Sequence, residues 1–295
     1  MKNISKKIFK GVATALITPF KNGKIDYGAL EMIIEHQINE GIDALLVCGT
    51  TGESATLSDK EMAELISFSA SRICGRVPLI AGSGSNDTAH AVRLSKVASE
   101  LGANALLVVT PYYNKASREG LIRHYETVAD NTPCPIIIYN VPSRTGVNIP
   151  IDVYDRLADH ENIVGVKEAS GSVTYLEKII STCSDRLDIY SGNDDLILPT
   201  LSIGGSGVIS VISNLLPKRT RDICELFFEG DIIGARNIQN ELLPLMDAIF
   251  SEVNPIPIKM LMAERGFCRE EYRLPLCPLE QEKKDKILKI AERYL

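Results

Sequence analysis

The chain has no tryptophan and only four histidines, His36, His90, His124 and His160, which lie too far apart for metal-ligand spacing. No metal site is therefore announced. Its cysteines, Cys48, Cys74, Cys134, Cys183, Cys224, Cys268 and Cys277, are odd in number, widely spaced and without a C-x-x-C pair. Neither a disulfide framework nor a redox motif fits that pattern, and a reduced cytoplasmic protein is expected. Positive charge is also in short supply. With 32 Lys and Arg against 38 Asp and Glu, the net charge of −6 argues against the basic face that nucleic acids require. No apolar run approaches the ~18 residues of a membrane span. Residues 1–10 are basic, but no apolar stretch follows them, so no secretory signal is expected. The G-x-x-x-x-G-K-[ST] and G-x-G-x-x-G signatures are missing, as are solenoid repeats, so no nucleotide is implied.

What is present is hydrophobic and regularly punctuated. Of 295 residues, 45% are hydrophobic, enough for a substantial core. Apolar runs at 11–20, 41–50, 77–84, 102–111, 135–140, 163–167, 187–192 and 207–212 are rich in Val, Ile and Leu. They show little polar alternation, as parallel strands covered on both faces should. Amphipathic stretches lie between them. Ser58 with Glu61 forms a capping box before one, and Asn86 or Asp87 can cap the next. Eight β-then-α units predict an α/β fold, a closed (β/α)8 TIM barrel; an open doubly wound sheet needs no such count. The weakest unit is 187–212, where the helix near 195–203 contains Pro199. Helical patterns at 217–228, 232–250, 257–265 and 279–294 exceed one closing helix. The expected organisation is a catalytic barrel at 1–225 and a C-terminal helical appendage at 226–295.

In such barrels the reactive residues sit at the C-terminal ends of strands and in the loops that follow. The run Ile163-Val164-Gly165-Val166-Lys167-Glu168 delivers a lysine at that end of an otherwise buried strand. A desolvated lysine has a lowered pKa, and its neutral amine can attack a carbonyl to form a Schiff base. Taken alone, the segment fits better a lysine snorkelling to a carboxylate such as Glu168, because structural ion pairs also perturb lysines. The second strand ends in Gly49-Thr50-Thr51-Gly52-Glu53-Ser54, whose N–H groups and hydroxyls could hold a carboxylate or merely form a turn. The fourth ends in Tyr112-Tyr113, which could also be interface aromatics. The fifth carries Tyr139 at the depth of Lys167, with Arg144 just beyond to grip a carboxylate. Gly204-Gly205-Ser206-Gly207 looks like a phosphate cradle but precedes its strand, so it reads as a tight αβ turn.

Lys167, Tyr139, Arg144 and the G-T-T-G-E-S loop together resemble the pyruvate-dependent class I aldolase and lyase superfamily and, within it, the dihydrodipicolinate synthases. The similarity runs from Gly11-Val12-Ala13-Thr14-Ala15 to Asn254-Pro255-Ile256-Pro257 and Pro275-Leu276. It implies a carbon–carbon-bond-forming lyase that joins pyruvate to L-aspartate 4-semialdehyde on the route to diaminopimelate and lysine. It also implies a homotetramer built from tight dimers, with no metal or organic cofactor. By this resemblance Lys167 forms the imine, and Thr50, Tyr139 and a Tyr113 lent across a dimer contact make a proton relay. Thr51 helps hold the pyruvate carboxylate, Arg144 receives the semialdehyde, and Gly192 and the Ile209 carbonyl line the pocket. A sister N-acetylneuraminate lyase or keto-sugar-acid aldolase would use the same imine; an inactive barrel serving as a ligand-binding scaffold is a third alternative. Ser54, Ala55, Asn86 and Tyr112 match a lysine-effector site found in many members. Where lysine-sensitive members carry two histidines and a glutamate, this chain has Asp59, Met62 and His90, with Asp59 expected on a separate wall. Lysine inhibition is therefore expected to be weak or absent.

Overall fold

The computed structural model describes residues 8–294; residues 1–7, with most of the basic start, and residue 295 lie outside the description. In chain order the strands are β1 (Gly11–Ala15), β2 (Phe20–Lys21), β3 (Lys24–Ile25), β4 (Ala44–Val47), β5 (Leu79–Gly82), β6 (Ala105–Val109), β7 (Ile136–Asn140), β8 (Ile163–Glu168), β9 (Asp188–Ser191) and β10 (Gly207–Ser210). β2 and β3 form a separate antiparallel hairpin. The other eight close into a parallel barrel in the order β1-β10-β9-β8-β7-β6-β5-β4, with β1 paired to both β4 and β10. The (β/α)8 barrel predicted from the sequence is the fold observed.

The first apolar run is shorter as a strand than its sequence suggests. β1 stops at Ala15, and Phe20 belongs to the hairpin, because Asn22 and Gly23 take the left-handed conformations (φ 55° and 76°) of a tight turn. The helices that cover the barrel are α1 (Tyr27–Asn39), α2 (Asp59–Ile73), α3 (Thr88–Glu100), α4 (Arg118–Asp130), the short α5 (Pro142–Thr145), α6 (Ile151–Leu157), α7 (Val173–Cys183), α8 (Ile197–Ser202) and α9 (Pro217–Glu229). Ser58 and Glu61 make the capping box of α2, and Asp87 caps α3. Pro199 falls in the first turn of α8, where its missing N–H is not needed. Three helices remain beyond the barrel: α10 (Ile232–Ile249), α11 (Ile256–Glu264) and α12 (Gln281–Ala291). A division after residue 225 would cut α9, so we propose the boundary at the turn of Gly230.

Side chains alternate between two apolar layers. Ala44, Leu46, Ile80, Leu107, Ile137 and Ile209 fill the barrel, while Leu45, Val47, Leu106, Ile136 and Ile138 pack outward under the helices. β8 breaks this alternation once. Ile163 pairs with Ile136 and faces outward, yet Gly165, not Val164, pairs with Ile137. The extra residue reverses every side chain beyond it, so Val166 packs outward and Lys167 turns into the barrel beside Tyr139 and Tyr190. A strictly alternating strand would have aimed Lys167 the other way.

Candidate active site

Lys167 and Tyr139 stand opposite one another on adjacent strands, with the lysine Nζ 4.5 Å from the centre of the tyrosine ring. Both side chains are buried. Burial pulls the Lys167 ammonium down to about 8, helped by the Arg144 charge and opposed by the Asp194 carboxylate. Gly192 supplies the room for this side chain. A Cβ there would lie 3.1 Å from Lys167 Cε and 2.6 Å from Ala169 Cβ, so any larger residue displaces the lysine stem or the strand. Burial raises the pKa of Tyr139, while a hydrogen bond with Thr50 and the Arg144 charge partly offset it.

The loop after β4 presents Thr50 and Thr51. Turn hydrogen bonds from Gly52 N to Gly49 O and from Glu53 N to Thr50 O, 3.1 and 3.0 Å, hold it. At Gly52 a Cβ would press on Thr18 Oγ1 and the Leu16 carbonyl at 3.1 and 3.2 Å. Glu53 takes a left-handed conformation (φ 53°), which sends its carboxylate into the protein to meet Lys259 at 2.6 Å. A cavity of about 450 Å³ opens here, lined by Thr50, Tyr139, Arg144 and Asn254 among others. Lys167, Thr51, Gly192 and Ile209 are not in its lining; the amine lies one side chain behind it, next to Tyr139. Ile209 is fully buried in β10, in register with Ala13. Tyr113 is the outlier, 92% exposed and held at φ 69°, away from the other members of the expected relay.

The six positions of the expected effector site divide. Ser54, Ala55, Asp59, His90 and Tyr112 line the same cavity as Thr50 and Arg144; Asn86 is outside the lining, its carbonyl accepting from Asn114 Nδ2 at 2.9 Å. Asp59, at the start of α2, faces His90 of α3. Its two carboxylate oxygens lie 3.0 and 3.1 Å from His90 Nε2, while His90 Nδ1 meets Ser85 Oγ at 3.3 Å. Two side chains protruding from α2 and α3 meet across the groove between those helices, a proximity that linear spacing does not reveal.

Several residues of the site were not singled out from the sequence. Asn254 donates from Nδ2 to Thr51 Oγ1 at 3.0 Å, and its carbonyl accepts from Arg144 Nη2 at 3.0 Å. Asn140 and Glu168 are the outward neighbours of Tyr139 and Lys167; Asn140 Nδ2 donates to Glu168 Oε2 at 2.8 Å and so ties the two reactive strand ends together. Burial raises the pKa of Glu168, opposed by hydrogen bonds from Ser170 and Asn140. Asp194 is buried near Lys167 and accepts from the backbone of Val211 and Ile212 at 3.0 and 2.9 Å. A single signal was available for one of these groups. The polar pair at the ends of two apolar strands, Asn140 and Glu168, needed partners once buried.

The sequence profile of the Dihydrodipicolinate synthetase family matches residues 8–294. A 4-hydroxy-tetrahydrodipicolinate synthase of Caldicellulosiruptor bescii is 50% identical over 285 residues, 96% of this chain and 96% of that protein. The one from Geobacter sulfurreducens is 45% identical over 287 residues, 97% of this chain and 99% of that protein. Among solved structures, the dihydrodipicolinate synthase of Thermotoga maritima superposes with a TM-score of 0.96 at 40% identity, covering 97% of this chain and 99% of that one. Nearly full-length matches at these identities leave no segment of the barrel or of the terminal helices outside the likeness. The chain belongs to the dihydrodipicolinate synthetase family.

Proposed function

We propose that this protein is a 4-hydroxy-tetrahydrodipicolinate synthase, a lyase of lysine and diaminopimelate biosynthesis acting on pyruvate and L-aspartate 4-semialdehyde. The observation that carries the reading is the buried Lys167, its ammonium brought down to about 8 beside the Tyr139–Thr50 hydrogen bond. The neutral amine adds to the pyruvate carbonyl and water leaves, giving an imine. That cationic imine is the electron sink, so the pyruvate methyl loses a proton and the enamine attacks the aldehyde carbon. The substrate's own amine then adds to the imine carbon and Lys167 departs, closing the ring. In this reading Thr50 and Tyr139 carry protons in these steps, and Thr51 and Arg144 hold the two carboxylates. A product assay with pyruvate and aspartate semialdehyde, run beside N-acetylneuraminate cleavage, tests it. Turnover of the sugar acid alone would overturn the assignment.

Removing one hydroxyl from the relay, as Tyr139→Phe or Thr50→Val, should lower kcat by about 10²–10⁴-fold with the fold kept, the usual weight of general acid–base help. A rate near that of the unmodified enzyme takes the residue concerned out of the mechanism. Tyr113 acts, in this reading, in the site of a neighbouring subunit of a homotetramer built from tight dimers; its exposure supports that role. Mixing inactive Tyr113→Phe with inactive Lys167→Ala protein should restore part of the activity once subunits exchange. Persistent inactivity in proven hybrids would show that Tyr113 does not act in trans. All seven cysteines are free, and among the described residues no helix is long and apolar enough to cross a membrane. The free thiols support our placing of the enzyme in the cytoplasm.

The Asp59–His90 pair bears on regulation. His90 Nε2 contacts both Asp59 oxygens and competes with a lysine effector for that carboxylate, whose side chain is 66% exposed, and Met62 offers the effector no donor or acceptor of strength. Losing one charge-assisted bond weakens affinity by roughly tenfold or more. Lysine titration of the purified enzyme should show weak inhibition or none. Strong inhibition below millimolar lysine would mean that the pair yields readily to the effector.

A further inference from the structure

We propose that Asn254 is a positioning residue for the keto-acid substrate, acting through Thr51. This rests on the reading of Thr51 as the hydroxyl that meets the pyruvate carboxylate. Asn254 lies between α10 and α11, 203 positions from Thr51, and lines the same cavity as Thr50, Tyr139 and Arg144. It is 8% exposed. One residue thereby fixes two substrate groups: its backbone carbonyl anchors Arg144 and its side-chain amide anchors Thr51. A threonine hydroxyl that accepts from Asn254 Nδ2 keeps its own proton free for another acceptor. The contact turns Thr51 into a donor aimed away from Asn254, the state in which it can bind a carboxylate.

Most buried amides have both of their ends hydrogen-bonded. Here Oδ1 is buried without a partner, and the amide's hydrogen bond is spent on Thr51. The hydrogen bond that the amide makes is thus the one that orients the Thr51 hydroxyl.

Two substitutions test the proposal, because both keep the carbonyl that holds Arg144. Asn254→Ala removes the amide; Asn254→Asp keeps its shape but accepts the Thr51 proton, pointing the donor the wrong way. The pyruvate KM should rise roughly tenfold in Asn254→Ala, the weight of one bond to a charged group, and further in Asn254→Asp. The KM for the semialdehyde in Asn254→Ala should stay within about twofold, since Arg144 keeps its anchor. Adding Asn254→Ala to Thr51→Val should cost nothing more, because the amide acts only through that hydroxyl. Additive costs, or an unchanged pyruvate KM in folded Asn254→Ala, would overturn the inference; if that variant unfolds, the isosteric Asn254→Asp decides by the same KM. Borohydride trapping of pyruvate on the unmodified protein keeps the two levels apart. No adduct at all overturns the assigned function and this inference with it, whereas a normal adduct with unchanged variant affinities removes Asn254 alone.

Discussion

Replacing Lys167 with alanine is expected to abolish both turnover and borohydride-trapped pyruvate, with a loss in kcat on the order of 10⁴-fold or more. The physical reason lies in where β8 leaves the amine. With its pKa near 8, Lys167 is neutral in roughly a tenth of molecules at pH 7, against about one in three thousand for an ordinary lysine. Imine formation should therefore rise with pH and level off just above pH 8. A rate that kept climbing to pH 10 would mean an unperturbed amine, and labelling that survives Lys167→Ala would place the covalent bond elsewhere. The same burial has a cost that can be measured. The folded-state pKa is below the unfolded value, so the unfolded chain binds more protons between the two. The destabilisation is then full below about pH 8 and fades as pH rises toward 10.5. Lys167→Met should be more stable than the parent by on the order of 2 kcal/mol at pH 7, and the gain should shrink by pH 10 in denaturant unfolding.

The barrel was legible because each parallel strand is covered on both faces and therefore reads as a continuous apolar run. The pairing of Tyr139 with Lys167 followed from the same logic, since both stand next to last in their strands, at one depth. What the linear pattern hid were single-residue events. The shift between Ile163 and Gly165 decides which way Lys167 points, and its only trace is a glycine inside a strand. The Asn22-Gly23 turn announces a hairpin, but the strands it joins are two residues each, too short to carry an alternation. Asn254 and Lys259 were hidden for another reason. Their partners Thr51 and Glu53 are more than 200 positions away, and closeness at that range is a product of the closed fold, with no local periodicity to betray it.

Lys259→Met is expected to destabilise the protein by about 3–5 kcal/mol, the largest stability effect we predict for a single substitution. Lys259 and Glu53 have side-chain exposures of 0% and 1%, and they meet at 2.6 Å. The other Glu53 oxygen accepts the Arg273 backbone N–H at 3.2 Å, and the Lys259 ammonium lies 4.1 Å from the centre of the Phe20 ring. Burial pulls the Lys259 pKa down, and the Glu53 charge and hydrogen bond pull the other way. Methionine fills the space of the lysine stem, so the loss comes from a carboxylate left buried without its cation and not from a void. Removing the second charge should relieve most of that cost. The double variant Glu53→Gln with Lys259→Met is expected to recover more than half of the stability lost in Lys259→Met, a strong departure from additivity in chemical denaturation. A loss under about 1 kcal/mol in the single variant, or a double variant that is simply the sum of two losses, would show that the pair is hydrated and weak. The pair also has a bearing on catalysis. Glu53 closes the loop that carries Thr50 and Thr51, and Lys259 belongs to α11, the helix that follows Asn254. Lys259→Met should therefore weaken pyruvate binding at temperatures where the protein is still folded, and the double variant should restore the fold without fully restoring that binding, because glutamine and methionine no longer pull the loop and α11 together.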